Sequence, residues 1–204
     1  MSGAYDAVVL AGGEGLRLGG VSKAEIVLAG RTMLDRVLDG VQGAARAVVV
    51  GPARLARPGV PAVLEEPPLG GPVAGIDAGM VHLGTEGDLP VVVLACDVPL
   101  AGEAVPALLD ALAASPAADG AVLLDGEGRR QPLVAVYRRG SLAGALQRRR
   151  DDGGVHGASM RRLVEGLELI GVPDVTGAGQ DGDTWEAVAE LEAAVAERVT
   201  RSAR

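Results

Sequence analysis

The sequence predicts an α/β fold: three layers, αβα, with helices on both faces of a mostly parallel sheet. Three observations predict it. Apolar runs such as Ala47–Val50 and Val91–Leu94 are solid Val, Ala and Leu rather than alternating, as in strands covered on both faces. Segments with helical spacing separate these runs. The first run, Ala7-Val8-Val9-Leu10, feeds directly into a glycine-rich turn, and open α/β sheets bind ligands beyond such strand ends. The 204 residues are read as one domain, 1–204, with the stretch 199–204 expected to be disordered.

The elements follow in order. Val8–Leu10 is the first strand. Thr32–Val41 places Leu34, Val37, Leu38 and Val41 at helical spacing; Thr32 is the expected cap, with Asp35 three residues on. Ala47–Val50 is a strand, Arg54–Pro61 a proline-bearing loop, and Ala62–Leu64 a short strand. Gly70 and Gly71 lead into a helix opened by Pro72, a residue suited to a first helical position. Val91–Leu94 is the strongest strand, and Val105–Ala114 is a helix. Gly120–Leu124 and Pro132–Tyr137 are strands flanking the turn Gly126-Glu127-Gly128. Leu142–Arg149 and Ala158–Val164 are helices, Leu167–Val172 a strand, and Asp183–Glu197 a last helix with Val188, Leu191 and Val195 as its apolar stripe.

Composition excludes several classes of partner. The net charge is −8 and there is no Phe, one Trp and two Tyr, which argues against nucleic acid and anionic membrane. The core must be Leu, Val and Ala packing. A single cysteine, Cys96, rules out an internal disulfide framework. No apolar run approaches the ~20 residues of a membrane span, and the N-terminus lacks the layout of a signal peptide. The expectation is a cytoplasmic protein.

Chemistry concentrates in Leu10–Lys23, LAGGEGLRLGGVSK. Glycines at 12, 13 and 15 let a backbone approach a polyphosphate with its N–H groups turned inward, and Arg17 and Lys23 neutralise charge. Lys23 is the only lysine; every other basic residue among the 19 Lys and Arg is arginine. A compact ammonium suits a point contact to phosphate. The bland alternative is a flexible turn. Asp97 ends the strongest strand and precedes Val98-Pro99, placed either to hold Mg²⁺ against phosphate oxygens or to make a local turn. Cys96 lacks a supporting triad pattern and reads as a small buried residue. Gly70, Gly71 and Pro72 open a helix whose N-terminus either receives part of a nucleotide or simply starts there. Glu65 and Glu66 lie just upstream, and the sequence does not separate them. Asp183-Thr184-Trp185-Glu186 fits a helix cap at Asp183. Arginines crowd 129–150 and 161–162, as a solvated face or as a rim for an anionic substrate.

These elements together resemble a known family. LAGGEGLRLGGVSK resembles the LAGGxxxRxGxxK signature of the molybdenum cofactor guanylyltransferases, the MobA-type nucleotidyltransferases. GGPVAGI looks like their GPLAGI-type element and LACDVPL like their strand-end CDxP element. QPLVAVY is similar to their HP-x-x-x-Y/W strand, with Gln131 where His is often found. DTWEAVAEL resembles their NTPEEL or DTPEDL helix start. After the second strand, Gly51-Pro52 stands where relatives often carry Asn.

The resemblance implies a Rossmann-like sandwich of the nucleotide-diphospho-sugar transferase type. It implies Mg²⁺-dependent transfer of GMP from GTP to the phosphate of molybdopterin, releasing pyrophosphate. It implies Arg17, Lys23 and Asp97 as catalytic residues. Nucleotide contacts fall to Leu10, Ala11, Gly12, Gly13, Gly15, Gly70, Gly71 and Pro72, beside those three. Asp97 and, as a second contact, Asp183 hold the metal; Asp183 thus fits both this role and a cap. LAGG accompanies guanylyl and LAAG cytidylyl transfer, so Gly12 bears on the base. The implied partners are GTP, a molybdopterin-type acceptor and, transiently, other molybdenum cofactor proteins, with the chain a monomer or weak oligomer. A relative using CTP or another acceptor, and a silent nucleotide-binding protein, are the alternatives.

Overall fold

The computed structural model describes residues 4–13, 18–84 and 87–202. In chain order it contains β1 (Asp6–Leu10), β2 (Val27–Leu28), β3 (Arg31–Thr32), α1 (Met33–Gly40), β4 (Arg46–Val50) and β5 (Ala62–Val63). There follow α2 (Gly71–Leu83), β6 (Val91–Ala95), α3 (Val105–Ala113), β7 (Gly120–Leu124), β8 (Arg130–Tyr137), α4 (Arg139–Asp151), α5 (Met160–Leu163), β9 (Leu169–Pro173) and α6 (Trp185–Ser202). Among the described residues no helix is long and apolar enough to cross a membrane.

Seven strands make one sheet in the order β5-β4-β1-β6-β8-β7-β9. Only β8 runs against the rest, antiparallel to both β6 and β7. Its connection to β7 is too short for the crossover a parallel pair needs. The sheet is sandwiched as its unalternating strands require. In β1, Ala7 and Val9 pack with Leu34 and Val37 of α1 and Leu108 and Leu112 of α3. Val8 faces the other way, toward Val73 and Ile76 of α2 and Leu142 and Leu146 of α4. Each strand residue thus serves one layer, and polar alternation has no place.

β8 breaks its ladder once. Val122 pairs with Ala135 but Leu123 with Gln131, so Pro132, Leu133 and Val134 bulge away from β7. Proline has no N–H to give the ladder and belongs at such a break. The buried Tyr137 hydroxyl donates to the Pro132 carbonyl at 2.8 Å and pins the bulge.

Two features depart from the sequence reading. β2 and β3 form a hairpin, unforeseen, whose turn residues Ala29 and Gly30 have φ of 44° and 78°. The carboxylate of Glu192 on α6 accepts from the Ala29 N–H at 2.9 and 3.0 Å, and Arg36 donates to the Leu28 carbonyl at 3.0 Å. Contacts from distant residues thus hold a turn that an alanine would not favour alone. The last helix was expected to end before 199, yet α6 is helical to Ser202. The expected stripe docks it: Val188, Leu191 and Val195 are buried against Leu18, Ile26, Leu28 and Met33.

Candidate active site

The site forms where three parallel strands end together. Leu10 lies opposite Val50 of β4 and Ala95 of β6. Past the strand, the Ala11 N–H donates to the Val50 carbonyl and the Cys96 N–H to the Leu10 carbonyl, both at 2.8 Å. These bonds fix the direction in which Gly12 and Gly13 leave the sheet. Both glycines line a cavity of about 360 Å³, with Leu10, Ala11, Lys23 and Asp97. A Cβ at Gly13 would meet nothing within 4 Å, and one at Gly12 would lie 3.8 Å from the Val50 carbonyl. An alanine at 12 therefore fits the protein itself, and any penalty would fall on a ligand. Gly15 and Arg17, both expected to contact phosphate, lie outside the described residues.

The far wall is the start of α2. Gly71, Pro72 and Gly75 line the cavity, and Gly70 is the residue before the helix. Gly71 has φ of 82°, which a side chain resists. A Cβ on Gly75 would stand 3.1 Å from Leu10, and one on Gly79 only 2.7 Å from Val8. The bare helix face lets α2 press onto β1, bringing its N-terminus to the strand ends.

Charge gathers at the opposite wall. Lys23 opens a single 3₁₀ turn, Lys23–Glu25. Its Nζ donates to Asp97 Oδ2 at 2.8 Å and also to Asp183 Oδ1. Residues 74 and 160 positions away thus meet on one ammonium. Burial alone would lower the Lys23 pKa, but hydrogen bonds to Asp183 and Asp97 outweigh it and raise it above the ordinary value. Lys23 is therefore charged throughout the neutral range. A backbone bond closes the cluster: the Gly182 N–H donates to the Asp97 carbonyl at 2.8 Å.

The cap of α6 is Thr184, not Asp183. The Ala187 N–H donates to Thr184 Oγ1 at 3.2 Å, and the Val188 N–H to the Thr184 carbonyl at 2.9 Å. The capping reading was one residue early, and the Asp183 carboxylate turns to Lys23 instead. Asp181 went unnoticed in the sequence. Its pKa is raised, first by burial and then by the charges of Asp183 and Asp97, which marks it as part of the same acidic neighbourhood. Two signals were available, its place beside Asp183 and the loop glycines around it.

The structure also separates Glu65 from Glu66. Glu65 is buried, 7% exposed, and lines the cavity, while Glu66 is exposed. Cys96 is buried, and burial followed by the nearby Asp97 charge pushes its thiol pKa up, so it is no nucleophile. Most of the arginines of 129–150 are taken by the fold itself. Arg129 pairs with Asp125 and Glu127, Arg138 donates to the Ala118 carbonyl, Arg139 pairs with Asp6, and Arg150 pairs with Asp77. Gln131 packs beside Gly179, where a Cβ would lie 2.7 Å from its Nε2.

What the arrangement can do chemically is hold a polyphosphate between backbone amides and a fixed cation, next to two carboxylates. Known proteins resemble the chain in sequence and in fold. The MobA-like NTP transferase domain matches residues 7–171. The chain is 37% identical over 173 residues to a molybdenum cofactor guanylyltransferase of Acidiphilium cryptum, covering 82% of this chain and 84% of that one. It is 33% identical to one from a Shewanella species, over 68% and 71% of the two chains. In three dimensions it resembles the molybdopterin-guanine dinucleotide biosynthesis protein A of Archaeoglobus fulgidus, with a TM-score of 0.70 at 21% identity, over 94% and 99% of the two chains. It also resembles the 2-C-methyl-D-erythritol 4-phosphate cytidylyltransferase of Thermus thermophilus, with a TM-score of 0.64 at 19% identity, over 91% and 96%. The likenesses of fold and of sequence agree, and the chain belongs to the MobA-like nucleotidyltransferase family.

Proposed function

We propose that the protein transfers GMP from GTP to the phosphate of a molybdopterin-type acceptor. The observation that carries this reading is the Lys23 ammonium, held by Asp97 and Asp183 at the rim of a cavity floored by Gly12 and Gly13. An oxygen of the acceptor phosphate attacks the α-phosphorus of GTP. The bond from that phosphorus to the bridging oxygen breaks, and pyrophosphate leaves with the electron pair. The attacking phosphate is already ionised, so no general base is needed. Catalysis is positioning and neutralisation of charge. Backbone amides near Gly12 and Gly13 face the phosphates, and Lys23, with Arg17, offsets charge building on the leaving group.

The residues fit a divalent ion. Asp97 and Asp183 already converge on one cation, and Mg²⁺ is usually held by one or two carboxylates, with substrate phosphates completing its shell. Bound by these two aspartates, it would supply further positive charge against the phosphate oxygens.

Glu65 supports GTP over CTP. A carboxylate in the wall of a largely apolar cavity needs donors, and guanine offers N1–H and the 2-amino group side by side. Cytosine offers only one amino group on the same edge. A carboxylate in that wall favours the base that offers it two donors over the base that offers one. The protein would act in the cytoplasm as a monomer or weak oligomer, meeting other molybdenum cofactor proteins transiently. The test is pyrophosphate release with GTP, Mg²⁺ and molybdopterin, with CTP alongside. Release with CTP and not GTP would replace this reading with a cytidylyltransferase, and GTP binding without release would make the protein a silent binder.

A further inference from the structure

The lysine–aspartate cluster has two sides. Lys23 and Asp97 line the cavity with Gly12, Gly13 and Pro72, whereas Asp183 stands outside that lining. Two substrates must meet at the cluster. The nucleotide takes the cavity, so the second has to approach from elsewhere around it, and Asp183 joins the cluster to the first turn of α6. That turn begins with Trp185, two residues beyond Asp183.

Trp185 is the only tryptophan in a chain with no phenylalanine. Both tyrosines are buried, at 5% and 0% exposed, while Trp185 is 52% exposed. Aromatic surface is the most valuable apolar surface a fold can bury, and here the largest ring is left to the solvent. Its place is rigid. Thr184 caps the helix immediately before it, and Val188 and Leu191 anchor the following turns in the core. A half-exposed indole two residues along the chain from Asp183 offers a stacking surface next to that cluster's aspartate.

We propose that Trp185 is the platform on which the flat pyrimidinone ring of a pterin-type second substrate stacks, its phosphate reaching Lys23 from the α6 side. The assignment rests on the guanylyl-transfer reading and adds the residue that selects the acceptor. A ring-bearing phosphate is held at both ends, by indole and by ammonium; a phosphate without a ring is held at one.

Trp185 reports on itself, because fluorescence of the wild-type protein comes from a single tryptophan. Titration with 6-hydroxymethylpterin should quench it saturably, whereas glycerol 3-phosphate should leave it unchanged. Trp185→Ala should raise the KM for molybdopterin by about tenfold, with kcat and GTP affinity little changed. Trp185→Phe, which keeps a ring, should restore the KM to within about threefold of wild type. No quench by the pterin, or an unchanged KM in Trp185→Ala, overturns the assignment. A wild-type protein that binds no GTP or releases no pyrophosphate sinks the transferase reading instead. The quench needs no turnover and decides Trp185 on its own.

Discussion

Lys23 is shared by two aspartates, and its removal would take away the ammonium on which Asp97 and Asp183 converge. Lys23→Ala should lower turnover by roughly 10²–10³-fold, the usual cost of one preorganised electrostatic contact, measured as pyrophosphate release at saturating GTP. The pKa of Lys23 is raised, so its pairing is complete below the ordinary lysine value and is lost only as pH climbs past it. Activity should therefore show no loss from Lys23 between pH 6 and 9. Asp97→Ala should abolish Mg²⁺-dependent turnover with the circular dichroism of the fold intact; a variant with the wild-type metal requirement would remove Asp97 from the metal site. Much of this was legible at the residue level. A lone lysine and a strand-end aspartate carry their chemistry in their positions. The shared bond to Asp183 was not legible, because it depends on where a loop 160 positions away comes to rest.

The element that brings Asp183 home is the loop between β9 and α6. The Asp174 carboxylate accepts from the backbone N–H groups of Thr176, Gly177, Ala178 and Gly179, at 2.8–3.0 Å. Burial would raise its pKa, but the four N–H donors outweigh this and lower it. A lowered carboxylate stabilises the loop above its ordinary pKa and lets go only as pH falls through the lower folded value. Asp174→Ala should raise the Mg²⁺ concentration for half-maximal rate, because the loop that sets the position of Asp183 would lose its anchor. An unchanged Mg²⁺ requirement would show that Asp183 needs no such anchoring. Elements with a strict apolar rhythm could be read directly: α1 with its Thr32 cap, which accepts from the Asp35 N–H at 3.1 Å, and α6 with its stripe. The β2–β3 hairpin could not. Its turn has alanine at positive φ, and what stabilises it is Glu192, which no local pattern announces.

At the scale of the molecule, the site and the main buried charge lie at opposite ends of the strands, with β1 running between them. Asp6 starts β1 at full burial and is paired by Arg139 and by Arg46, whose Nη2 lies 2.6 Å from Asp6 Oδ2. Arg139 also donates to the Gly84 carbonyl at 2.7 Å, and Arg46 to the Leu83 carbonyl at 2.6 Å. The network ties β1, β4, α2 and α4 together below the strands whose upper ends carry the chemistry. Arg139→Ala would leave the buried Asp6 carboxylate to Arg46 alone, and should cost about 1.5–3 kcal/mol in urea unfolding, with the KM for GTP in the folded fraction unchanged. The layer architecture was readable because solid apolar strands must be covered on both faces. The reversal of β8 was implicit in the short link from Gly126 to Gly128, which leaves no room for a crossover.

Cys96, next to Asp97, turns these arguments into a clock. Its thiol is buried in the cavity wall and held protonated, so an aromatic disulfide reagent meets it slowly, through the cavity or as the end of β6 opens. The rate at which the colour develops then counts how often the strand end that carries Asp97 is reached. Saturating GTP and Mg²⁺ should slow that count in the native protein, with no label attached and no residue changed. An equal rate with and without nucleotide would mean that the strand end breathes independently of what the cavity holds.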